Sequence, residues 1–94
     1  MENVHSKNDK ANMIIYLLGF KCFRAGLDLT RLKRTEYPAI LKSCNIVYSI
    51  KKDNELIGYY GFEDKRETFY QLDIKEPNAT QMSYDATLSK LTGK

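Results

Sequence analysis

The chain has 94 residues, 43% of them hydrophobic, with 15 Lys and Arg against 12 Asp and Glu and a net charge of +3. That is the content of one small domain: too short for two, too apolar for a wholly disordered chain, and without the internal repeat of a solenoid or propeller. The longest apolar run, Met13 to Phe20, is 8 residues with Gly19 counted, where a membrane span needs about 20.

Residues 1–7 are polar and read as a loose tail before a single domain over 8–94. They lack the apolar core of a secretory signal, so the expected setting is cytoplasmic, with no membrane and with Cys22 and Cys44 reduced. Ser6, Asn8 and Asp9 are all helix N-cap types. After them Met13, Tyr16, Leu17, Phe20 and Arg24 recur at helical spacing, while Ile14, Ile15 and Leu18 fill much of the rest. A helix apolar nearly all round is a buried one, and the pattern predicts it over 9–24, stopped by Gly26. A central strand is the rival reading of so short an apolar run.

Asp28 or Thr30 is placed to open a second helical stretch, with Leu29, Leu32, Tyr37, Ile40 and Leu41 as its apolar positions. Pro38 divides it, because proline lacks a backbone donor and restricts the residue before it. The result expected is two short helices, 29–35 and 37–43.

From Asn45 the period becomes two. Ile46, Tyr48 and Ile50 alternate with Val47 and Ser49; Leu56, Tyr60 and Phe62 with Ile57 and Tyr59; Tyr70, Leu72 and Ile74 with Phe69, Gln71 and Asp73. Turn-forming Lys52-Asp53-Asn54 and charged Glu63-Asp64-Lys65-Arg66 separate the three runs. They predict a three-stranded antiparallel meander ended by Pro77. Thr80 or Ser83 caps a last helix with Tyr84, Leu88 and Leu91 on one stripe. The expected fold is α+β, in the order α-α-(α)-β-β-β-α.

If the first residue of each alternation packs on the helices, Val47, Ile57, Tyr59 and Phe69 fall on the face that should meet water. Four apolar or aromatic side chains there predict a contact surface for a protein partner or a second copy of the chain. Cover by the chain's own N-terminal segment is the alternative.

Charge is divided along the chain. Residues 1–52 hold 10 Lys and Arg and 4 Asp and Glu; residues 53–94 hold 5 and 8. Lys21, Arg24, Arg31, Lys33 and Arg34 cluster, which suits either nucleic-acid phosphates or an ordinary solvated face. Five phosphate contacts would give a log–log salt slope of about −4 to −5.

Little in the residues points to catalysis. Nucleophilic triads need a positioned histidine, and the single one, His5, lies in the tail. Glycines at 19, 26, 58, 61 and 93 match neither phosphate-cradling spacing. Two cysteines and that histidine fall short of a four-ligand zinc site, so neither metal nor cofactor is expected.

Three resemblances accompany this reading. Ile46–Phe62, through Asp53-Asn54-Glu55-Leu56-Ile57-Gly58-Tyr59, resembles the central hairpin of GNAT acetyltransferases. Glu76-Pro77-Asn78-Ala79-Thr80-Gln81 occupies the place of that family's glycine-bearing acyl-CoA loop. Helix, three strands and helix over 37–91 is similar to the order of double-stranded-RNA-binding domains, though Thr80-Gln81-Met82-Ser83-Tyr84-Asp85 carries none of their cations. Short helices before a hairpin resemble a winged helix, with 37–43 in the reading position and Lys42 and Ser43 outward. The expectation is a small non-catalytic binding or regulatory protein, of the accessory or inhibitor type that phages and mobile elements encode, acting by protein–protein contact. The alternative is nucleic-acid binding through the basic residues of 21–34.

Overall fold

A computed structural model describes residues 8–93; the expected tail over 1–7 lies outside them. Helix α1 spans Asp9–Arg24. Asn8 caps it, its side-chain oxygen accepting from the Lys10 and Ala11 amides at 2.9 and 3.1 Å. Gly26, at φ 75°, turns the chain out of the helix, a conformation that costs a side-chain-bearing residue.

The helix expected over 29–35 does not form. Asp28–Arg31 is instead an edge strand, β1, paired antiparallel with the next strand so that Leu29 lies opposite Ile50. Local helix signals lose here to the backbone pairing that β2 offers. Arg34–Glu36 and Ala39–Leu41 are single 3₁₀ turns, the second in place of the helix expected over 37–43. Pro38 directly precedes the second turn, and extended Tyr37 directly precedes Pro38, as proline demands.

Strands β2 (Ile46–Lys52), β3 (Glu55–Glu63) and β4 (Thr68–Asp73) form the expected meander. They are the centre of a wider sheet. Thr80–Ser83 adds β5 on the far edge, giving the order β1-β2-β3-β4-β5, antiparallel throughout. The last helix, α2, spans Tyr84–Thr92, with the Ser83 hydroxyl accepting from the Ala86 amide at 3.1 Å. The fold is thus α+β with two α-helices and five strands.

Both sheet faces are covered. On one, Ile46, Phe62, Phe69 and Tyr84 pack with Ala11, Ile14 and Leu18 of α1. The Phe62 and Phe69 rings lie 5.2 Å apart, and Phe62 and Tyr84 6.3 Å apart. On the other, Val47, Tyr70 and Leu72 pack under Tyr37, Leu41 and Cys44 of the irregular segment 32–44, which lies across the sheet as a strap. Gly61 makes that crossing possible. A Cβ there would stand 2.8 Å from Cys44 Sγ and 3.3 Å from Leu41 Cδ2.

Strand β4 presents the reverse of its expected faces. The turn between Glu63 and Thr68 pairs those two residues, which sets Phe62 opposite Phe69. Directly opposed residues share a face, so Phe69 goes to the helices and Tyr70 and Leu72 go to the strap.

Candidate functional site

The expected contact surface of Val47, Ile57, Tyr59 and Phe69 does not assemble. Val47 is 0% exposed under the strap, and Phe69 is 6% exposed on the opposite side of the sheet. Tyr59 is half-buried against the strap cluster. Ile57 lies at the β3 irregularity where pairing shifts between Ile50 and Lys51. The physical reasons are the strap, which the alternation pattern does not encode, and the inverted faces of β4.

The basic residues are exposed but divided. Lys21 and Arg24 lie in the last turn of α1. Arg31 ends β1, and Lys33 and Arg34 begin the strap. The Arg24 guanidinium stands 5.6 Å from the centre of the Phe20 ring on the helix layer, and that of Arg34 stands 5.4 Å from Tyr37 on the strap layer. Arg24 and Arg34 are therefore on opposite sides of the sheet.

A different surface emerges on α1. The helix buries Ala11, Ile14, Leu18 and Cys22 against the sheet. Its outer side carries Met13, Tyr16, Phe20 and Phe23, which are 51%, 72%, 58% and 80% exposed. Their spacing of three, four and three residues places them on one helical stripe, the seam that packs against another helix. Three aromatic residues at these exposures leave about 400–500 Å² of largely apolar surface in water, near the largest apolar patch of an ordinary monomer. Arg24 and Lys21 flank the stripe at its C-terminal end, with Leu17, Phe20 and Leu91 of α2 lining the hollow beside them.

Gly19 borders the same side. A Cβ built on it would meet nothing within 4 Å. A glycine inside a helix costs about 1 kcal/mol relative to alanine, and no packing within the protomer offsets that. It leaves the backbone open to close approach from outside.

Apolar residues that encircle α1 predict a wholly buried helix, and the structure buries only one side of it. The legible signal is that they divide into two stripes, 11-14-18-22 and 13-16-20-23, while one sheet face can bury only the first.

Side-chain hydrogen bonds tie the turns and α2 to the sheet. The Tyr84 hydroxyl donates to Asp64 Oδ1 at 2.7 Å, and the Asn45 side-chain oxygen accepts from the Asp64 amide at 2.7 Å. The Tyr37 hydroxyl donates to the Asn45 carbonyl at 2.9 Å. Burial pushes the Cys44 thiol up to about 12 and the Tyr60 hydroxyl up to about 12, the latter also facing Cys22. A thiol so placed stays protonated and unreactive near neutrality. Among the described residues, no group of three or more His, Cys, Asp or Glu is placed to hold a metal, and no helix is long and apolar enough to cross a membrane.

No known protein family, no curated protein and no solved structure matches this chain.

Proposed function

We propose that this chain is a protein-contact module whose working surface is the outer face of α1, and that the surface receives the same face of a second copy. The observation that carries the reading is the exposed stripe of Met13, Tyr16, Phe20 and Phe23. Its seam spacing suits a helix of like spacing, and its ends carry opposite charge, Asp9 in the first turn and Lys21 and Arg24 in the last, so a reversed copy meets it with matching signs. Arg24 against Phe20 holds one ring in place before contact. The patch puts the dimer at the small end of interface sizes, so association is reversible and concentration-dependent.

Sedimentation velocity over a dilution series tests this. The wild-type chain forms dimers as concentration rises, whereas Phe20→Asp with Phe23→Asp remains monomeric with an unchanged far-ultraviolet spectrum. A wild-type protein that stays monomeric up to about 1 mM, a concentration equivalent to roughly 4 kcal/mol of binding, overturns the proposal.

A second reading, contact with single-stranded nucleic acid, is favoured by the exposed Phe20 and Phe23 rings beside Lys21 and Arg24. With two cations on that stretch the log–log salt slope is about −1.4, well short of the value for five aligned cations. Absence of binding to an oligonucleotide at low salt ends this reading.

A further inference from the structure

Resting on the self-contact reading above, we infer that the two copies cross with their α1 helices antiparallel, about a two-fold axis that passes the outer side of α1 at the level of residue 18. Within one protomer α1 and α2 run side by side in the same direction. Lys10 of the first turn of α1 meets Asp85 of the first turn of α2 at 3.0 Å, and Leu91 near the end of α2 lies beside Phe20 and Arg24. Both helices therefore finish at the same end of the molecule, where each carries cations: Lys21 and Arg24 on α1, Lys90 on α2.

Orientation rests on that asymmetry. A parallel pair would gather four helix C-termini and the three cations of each copy at one end. Like charges and aligned helix dipoles oppose that arrangement. An antiparallel pair separates them and brings Asp9, in the first turn of α1, toward the Lys21 and Arg24 end of the other copy. The stripe itself accommodates the reversal. Centred at the level of residue 18, it sets Tyr16 opposite Phe20 of the second copy and Met13 opposite Phe23, each pair occurring twice. Gly19 stands one residue from that level at the edge of the stripe, where a Cβ would meet nothing within 4 Å of its own protomer.

Spin labels distinguish the two orientations. Ala25→Cys places a label on the exposed cap residue just past α1, while native Cys22 and Cys44 are buried. In the antiparallel dimer the two labels stand about 20 Å apart along the helix axes, from 1.5 Å of rise per residue. In a parallel dimer they are separated by little more than the roughly 10 Å between helix axes. An unchanged far-ultraviolet spectrum shows that the labelled variant keeps its fold. A long distance between the two Ala25 sites supports the inference. A short one in a protein that sediments as a dimer overturns the orientation and leaves the contact surface standing. A monomer by sedimentation removes both.

Discussion

The Tyr70 hydroxyl donates a 2.6 Å hydrogen bond to Glu63 Oε1, and both residues are buried beneath the strap side of the sheet. Arg66 Nε lies farther off, 3.8 Å from the other carboxylate oxygen, with its side chain largely in water. The phenol is thus the main partner of a carboxylate that is 6% exposed. Removing it strands the acceptor. Tyr70→Phe is expected to lose about 1–3 kcal/mol in urea denaturation, the cost of an unsatisfied buried polar group. Glu63→Gln should lose less, because an amide still accepts from the phenol. Equal losses in the two variants contradict this account.

The strap and the sheet meet at Gly61. Gly61→Ala brings a methyl group to 2.8 Å from Cys44 Sγ, closer than real contacts allow, so the strap must lift. The expected loss is about 1–3 kcal/mol, typical of overpacking. Cys44→Ala removes the atom that is struck. Adding it to Gly61→Ala should therefore cost less than Cys44→Ala costs alone. A double-mutant cycle measures the coupling, and additive losses would show that the strap yields freely.

Alkaline pH should unfold the protein. Burial raises the Tyr60 hydroxyl and the Cys44 thiol to about 12 each, and it raises Tyr84 as well, with Asp64 beside its hydroxyl. The folded-state values lie above the unfolded ones of about 10 for tyrosine and 8.5 for cysteine. Stability from these groups is present in full below the unfolded values and is lost as pH rises through the folded ones. The urea midpoint should hold to about pH 8 and fall between about pH 9 and 12. Cys44→Ala should flatten the lower part of that fall, and Tyr84→Phe the upper part. A midpoint independent of pH to about 12 would show that folding does not raise these groups.

Much of this fold is readable from local chemistry. The α1 bounds, the Asn8 and Ser83 caps, the Gly26 stop and the three central strands each have a short-range cause. The edge strands do not. Asp28–Arg31 and Thr80–Ser83 are four residues each, and what makes them strands is a partner supplied by β2 or β4. The strap is illegible for the same reason: segment 32–44 has helix-like spacing, and its role lies in covering Val47 and Leu72 from a distance in sequence. The candidate site shifts for this reason too. With a second cover over the sheet, the surplus of apolar surface moves from the strands to the outside of α1.

Gly19 separates the two roles of that helix. Gly19→Ala adds a methyl where nothing stands within 4 Å, so the isolated protomer gains helix propensity at no steric cost. Its stability should rise by about 1 kcal/mol, measured by urea denaturation at concentrations where the protein is monomeric. In the antiparallel pair the same methyl projects at the edge of the seam, where the second copy approaches, so dimer affinity should fall. Opposite signs in one substitution are the signature of a glycine kept for an intermolecular approach. A variant that is stabilised and dimerises as well as the wild type would place the crossing elsewhere on the stripe. One that is destabilised as a monomer would show that the space beside Gly19 is already filled within the protomer.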